Sequence, residues 1–174
     1  VRIKTLLSRL CGLGREVVIE SWILWDRRAR SCLEVAVRHR ARRRSRCGRC
    51  GVIAPLYDRG GGLRRWRHVD IGFGTCELVG AAPRVDCPEH GPTVAEVVWA
   101  RHGSWFSRAF EDLVVHDAIV GNKAAAADRY GISWRAVNNM CVRVAQEALG
   151  RVDLLDGLVA VAIDEVKYRR GTAT

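Results

Sequence analysis

The sequence predicts an α+β chain in four parts, and three observations carry that prediction. Two cysteine/histidine pairs bracket a stretch rich in glycine and proline, apolar residues at three-and-four spacing dominate after Pro92, and a continuous β-branched run lies near the end. The expected parts are an N-terminal helix and strand hairpin with an arginine-rich segment (1–46), a zinc-ribbon-like module (47–92), a helical region with a helix-turn-helix (93–150), and the first strand of a further domain (157–174).

Taken in order, Ile3, Leu6, Leu7 and Leu10 have the spacing of a short amphipathic helix over 2–10, ended near Gly12 and Gly14. Val17-Val18-Ile19, Trp22 and Ile23 form one β-branched run. In the next, Leu33, Val35 and Val37 alternate with Glu34, Ala36 and Arg38, so the two read as a half-buried hairpin. Between Cys47 and His90 the turn formers leave room for short strands, notably Arg64 to Ile71. Ser104–Val120, Lys123–Arg129 and Ser133–Leu149 follow as helices, and Leu158–Ile163 reads as a buried strand.

Charge narrows the partners. The chain of 174 residues carries a formal net charge of +10, which favours polyanions, because each Lys or Arg seated on a phosphate releases condensed counterions. Arginines crowd between Arg27 and Arg67 against only Glu34 and Asp58, most densely at Arg42, Arg43, Arg44 and Arg46. The planar guanidinium fork suits phosphates and base edges. No apolar run approaches the ~18 residues a membrane span needs, and Val1-Arg2-Ile3-Lys4 does not open a secretory leader. A cytoplasmic, nucleoid-associated protein is the expectation.

Seven cysteines, an odd number, argue against a disulfide framework. Cys47-Gly48-Arg49-Cys50 and Cys87-Pro88-Glu89-His90 each place two ligand types three residues apart, so one tight turn can aim both at an ion. Three thiolates and an imidazole suit tetrahedral structural zinc, with no open position for catalysis. Zinc would supply on the order of 10–16 kcal/mol of folding free energy to a segment poor in apolar bulk. Two reduced pairs, or one redox-active Cys-x-x-Cys, share the spacing but explain neither the bracketing nor the arginines. Cys76 reads as a packing residue, Cys11, Cys32 and Cys141 as buried reduced thiols, and His68, His102 and His116 as structural histidines.

Residues 123–137 have the grammar of a DNA-reading helix pair. Small alanines (124–127) allow close helix approach, Gly131 supplies a positive φ, Ile132 plugs the angle and Ser133 caps the second helix. On that helix Trp134, Val137, Cys141 and Val144 are expected inward. Arg135, Asn138, Asn139 and Arg143 are expected outward, as groups that grip phosphates or base edges. An ordinary αα-hairpin shares this grammar.

The run Leu158–Ile163 leads directly into Asp164-Glu165, and a carboxylate at the tip of a buried strand is how ribonuclease-H-like nucleases hold one ligand of a two-metal site. A surface turn would read the same. The order of features adds what no single one carries. Cys47-x-x-Cys50, Tyr57-Asp58-Arg59, residues 66–70 (WRHVD), residues 87–91 (CPEHG), residues 99–104 (WARHGS), residues 106–112 (FSRAFED), residues 133–137 (SWRAV) and Ile163-Asp164-Glu165 follow in sequence. So ordered, the chain resembles the transposases of the ISL3 insertion-sequence family over nearly its whole length.

The resemblance implies an N-terminal zinc domain, a helix-turn-helix, and then a ribonuclease-H-like DDE catalytic domain, here incomplete. It makes Cys47, Cys50, Cys87 and His90 the zinc ligands and Asp164 the first catalytic acid, with Mg²⁺ expected only for the intact catalytic domain. The second Asp and the Glu have no counterpart up to Thr174. Val98 stands where the family has proline, and Thr172-Ala173-Thr174 departs from its continuation. The resulting expectation is a truncated, catalytically inactive chain that binds double-stranded DNA at terminal inverted repeats. A non-enzymatic zinc-dependent regulator of DNA is the alternative. The DNA target and the oligomeric state, a homo-oligomer included, stay open.

Overall fold

The computed structural model describes residues 2–27, 30–40, 45–72 and 74–150. Its elements are α1 (Ile3–Leu10), β1 (Val17–Arg27), β2 (Arg30–His39), β3 (Leu56–Asp58), β4 (Leu63–Ile71), β5 (Gly74–Ala81), β6 (Arg84–Cys87), β7 (Gly91–Val94), α2 (Arg108–Val120), α3 (Lys123–Tyr130) and α4 (Trp134–Leu149). The arrangement is mixed α+β. Leu158–Ile163 and Asp164 lie outside the described residues, as do Arg42, Arg43 and Arg44. Among the described residues no helix is long and apolar enough to cross a membrane.

Four strands form one sheet in the order β1-β2-β5-β4. β1 and β2 pair antiparallel, β2 and β5 parallel, and β5 and β4 antiparallel. A parallel pair cannot be joined by a tight turn, so the chain must leave the sheet after β2 and return. It does so through the first cysteine knuckle and β3. The second sheet, β3-β6-β7, carries that module. The hairpin β4–β5, which lies between the two ligand pairs in sequence, thus pairs with the N-terminal strands β1 and β2 in one sheet. Hydrophobic alternation explains why. Trp66, His68, Cys76 and Leu78 are all buried on the face that already holds Val35 and Val37, while Arg65 and Glu77 alternate onto the other face.

Leu7 of α1 and Cys11 at its C-terminal cap cover that face, together with Val97 and Trp99 from the segment after β7. Trp66 and Trp99 meet edge to face at 5.5 Å. Gly80 is required here, because a Cβ on it would stand 2.6 Å from the Val37 carbonyl oxygen and 3.1 Å from the Trp99 ring. On the opposite face Arg65 spans two strands, donating to Glu34 at 2.6 Å and Glu77 at 2.9 Å.

A second core joins α2, α3 and α4 through Phe110, Val114, Ala126, Ala127, Val137 and Met140. Its connection to the sheet is hydrogen-bonded. Arg67 N–H donates to the Trp105 carbonyl (3.0 Å) and Ser107 N–H to the Arg67 carbonyl (2.9 Å), so the chain entering α2 lies along the free edge of β4. The buried His68 Nδ1 and Ser107 Oγ are 2.7 Å apart, and the same hydroxyl caps α2 by accepting from Phe110 N–H.

Candidate metal centre and nucleic-acid interface

Cys47, Cys50, Cys87 and His90 come together although 37 residues separate Cys50 from Cys87. Their potential ligand atoms all lie within 4.8 Å of one another, and no other such group occurs among the described residues. Cys50 Sγ and Cys87 Sγ are 3.7 Å apart, Cys87 Sγ and His90 Nδ1 3.6 Å, and Cys47 Sγ and His90 Nδ1 3.9 Å. Ligands about 2.3 Å from a tetrahedral zinc stand roughly 3.7 Å apart along each edge, so the residues fit a closed four-ligand ion.

Local sequence builds both knuckles. Gly51 N–H returns to the Cys47 carbonyl at 2.9 Å, with Gly51 at φ +73 and Gly91 at φ +61, values that favour glycine. Arg49 N–H points at Cys47 Sγ, 3.4 Å away, a contact that favours thiolate. β7 joins the two knuckles, since Gly48 N–H donates to the Val94 carbonyl and Cys47 bridges Ala95. The apolar content of the module is meagre: Cys47, Ala54, Val85, Cys87 and Ala95. So small a core calls for a staple.

The helix pair has the expected local chemistry. Asn122 caps α3 by accepting from Ala125 N–H, Gly131 takes φ +59, and Ser133 caps α4 by accepting from Ala136 N–H. Val137 and Met140 are fully buried against α2 and α3. Arg135 and Asn139 are exposed on the first half of α4. Asn138 is half-buried and accepts from Lys123 Nζ at 2.7 Å, tying α4 to α3. Arg46 is exposed beside the first knuckle and donates to the Gly51 carbonyl.

Two side chains depart from the expected faces. Trp134, expected inward, is 55% exposed, and its ring lies 5.5 Å from the Lys123 ammonium. Core contact on α4 begins at Ala136 and Val137, and the first helical residue lies beside Lys123 instead of in the core. Arg143, expected outward, points to α2, where its Nε donates to Glu111 Oε1 at 2.9 Å. Glu111 is fully buried and also accepts from Arg101 (3.1 Å) and Ser104 Oγ (2.7 Å). A buried carboxylate needs a cation, and Arg143 satisfies it. This network escaped the sequence reading because Glu111 and Arg143 are 32 residues apart and no local pattern links them.

His102 packs against the first knuckle, so close that a Cβ on Gly48 would stand 2.6 Å from its Nδ1. Burial, together with the neighbouring charges of Arg49, Arg64 and His90, holds its imidazole below the ordinary range.

Residues 43–90 match the zinc-finger of transposase IS204/IS1001/IS1096/IS1165, and residues 95–145 match the helix-turn-helix domain of transposase family ISL3. The "Transposase for insertion sequence element IS1557" of two Mycobacterium tuberculosis strains, CDC 1551 / Oshkosh and ATCC 25618 / H37Rv, is 40% identical over 167 residues. The alignment covers 95% of this chain but 38% of each relative. No solved structure matches. The four-residue cluster thus lies in a zinc-finger match, and the helix pair in a helix-turn-helix match.

Proposed function

We propose, because the chain belongs to the ISL3 transposase family through its zinc-finger and helix-turn-helix domains, that it recognises the terminal inverted repeats of an insertion sequence as double-stranded DNA. The observation that carries this reading is the exposed first half of α4, where Arg135 and Asn139 stand clear of the packed face formed by Val137 and Met140. In the major groove, Arg suits guanine O6/N7 and Asn suits adenine N6/N7. Asn138 acts with them from the edge of the helix. Arg46, with Arg42, Arg43 and Arg44 before it, grips phosphates. Zinc held by Cys47, Cys50, Cys87 and His90 is structural. The protein works in the cytoplasm, on the nucleoid.

The chain spans 38% of the curated relatives it matches, and the chemistry belongs to the larger whole. Asp164 is its first acid. Two-metal phosphoryl transfer uses Mg²⁺ held by several carboxylates, so residues 1–174 alone bind DNA without cutting it. Electrophoretic mobility shift with a duplex of the element's terminal repeat, against a scrambled duplex of equal length at fixed salt, tests the recognition. Preferential retention of the repeat is expected. Equal affinity for both would overturn sequence-specific binding, and Mg²⁺-dependent cleavage by residues 1–174 that disappears in Asp164→Ala would overturn the division of labour.

A further inference from the structure

Five described arginines around the two cores are neutralised. Arg65 is paired with Glu34 and Glu77, Arg67 with Asp70, Arg101 and Arg108 with Glu147, and Arg143 with Glu111. Arg49 and Arg64 have no carboxylate partner among the described residues, yet both face a cleft of about 200 Å³ between the first knuckle and the loop 100–104. Among the described residues Glu96 is the one acidic group on its wall, with Arg49, Arg64 and His102 beside the paired Arg101 and Arg108.

Arg64 is nonetheless held in place. Its guanidinium carbon lies 4.6 Å from the centre of the Trp105 ring and 5.6 Å from that of Trp66. Stacking on indoles fixes the guanidinium through its faces and leaves the N–H edge free to donate. Trp105 is itself 63% exposed, but its backbone is fixed to β4 by the bond from Arg67 N–H. A second groove, of about 330 Å³, runs between Trp105 and the outward residues Arg135 and Asn139 of α4. The two grooves share Gly103 and Ser104, so they form one track from the knuckle to the helix.

We infer that this track is a second DNA-backbone site, in which Arg49 and Arg64 hold phosphates of the same duplex that α4 enters, while Trp105 positions Arg64. The inference rests on the DNA-binding reading above and extends it. An unpaired, pre-positioned guanidinium beside a reading helix matches the spaced negative charge of a duplex, whereas the six paired arginine–carboxylate contacts above already have their anions. The metal module thereby acts as a recognition element continuous with the helix pair.

A random-sequence duplex of about 20 base pairs reports phosphate contacts without base readout, and fluorescence anisotropy over a salt series with the zinc-loaded chain gives the slope of log K against log salt. Each lost phosphate contact lowers that slope by about 1. Arg49→Ala and Arg64→Ala are each expected to lower it so and to weaken binding several-fold, with the double variant losing about twice as much slope. Arg64→Lys should keep the slope. Trp105→Ala should lose what Arg64→Ala loses and add nothing to it, and Trp105→Phe should restore it. Arg49 is exposed, so its replacement does not touch a core, and unchanged zinc content and melting midpoint confirm the fold of each variant.

Wild-type slope in both Arg49→Ala and Arg64→Ala, while Arg135→Ala weakens binding, overturns this inference and leaves the helix-turn-helix reading standing. No binding of any duplex by the wild-type chain overturns both.

Discussion

Arg143 of α4 turns away from solvent and donates through Nε to Glu111 of α2 at 2.9 Å, and Glu111 has no exposed surface. The angle at which α4 stands on α2 is therefore set by a buried ion pair as well as by Phe110, Val114, Val137 and Met140. Arg101 and Ser104 reach the same carboxylate, so the loop 101–104 is fixed to the same point.

Removing one member of this network should cost much more than removing the pair. Glu111→Ala leaves two guanidiniums facing a dry site and is expected to lower stability by about 3–5 kcal/mol. Replacing Glu111 by Leu and Arg143 by Met together should recover most of that loss. Urea denaturation of the single and double variants measures both, and an Arg143→Ala variant of wild-type stability would contradict the role given to the pair.

Specificity should separate from stability along α4. Arg135→Ala and Asn139→Ala lie on an exposed face and should leave the melting midpoint unchanged. Each should reduce the preference for repeat over scrambled duplex by about 1–3 kcal/mol. Competitive binding at one salt concentration reads this directly.

Metal removal should act unevenly. A strong chelator is expected to release about one zinc per chain and to expose the amides of the knuckles and of β6 and β7. The hairpin β4–β5 should stay protected, because its side chains Trp66 and Leu78 belong to the sheet core. Hydrogen exchange with and without chelator distinguishes this from a module unfolding throughout 47–92. Cys87→Ser should mimic the chelator.

Acid should loosen the contact between α2 and α3. The Tyr130 hydroxyl, 2.7 Å away, and then His116 and Arg129 hold the Asp117 carboxyl below its ordinary range against the opposing effect of desolvation. A group whose folded pKa is depressed stabilises the fold above its unfolded pKa, and this contribution is lost as pH falls through the folded value. Asp117→Asn should therefore be less stable than wild type near neutrality, with the gap closing below the usual carboxylate range. Thermal melts of both proteins across that range check it, and loss of zinc in acid affects both alike.

Gly131 sits at φ +59 between α3 and α4 with open space around it. Gly131→Ala should cost about 1 kcal/mol from backbone strain alone, and a melting midpoint at or above wild type would show that the turn tolerates another geometry.

Features resting on neighbours in sequence were legible before any fold was known. The caps at Ser133 and Gly131 and the two ligand pairs all depend on residues within one turn of each other, where backbone geometry dictates what touches what. The alternation of Val35 and Val37 and the stripe of Leu7 likewise announced a half-buried hairpin and helix, because periodicity reports which face leaves water. Trp134 shows the limit of that reading: its spacing matched the buried face, but its ring is 55% exposed and lies beside the Lys123 ammonium.

The amino-acid order by itself determined the element types, the knuckles, the helix pair and the polyanion-seeking charge, since each follows from local stereochemistry or from a sum over residues. Only the tertiary structure decided that β4 and β5 complete the N-terminal sheet, that Arg143 serves Glu111 rather than solvent, and that Arg49 and Arg64, without a carboxylate partner among the described residues, line one cleft. Those outcomes depend on which distant groups compete for the same buried face or the same carboxylate, and that competition is settled only when the whole chain packs.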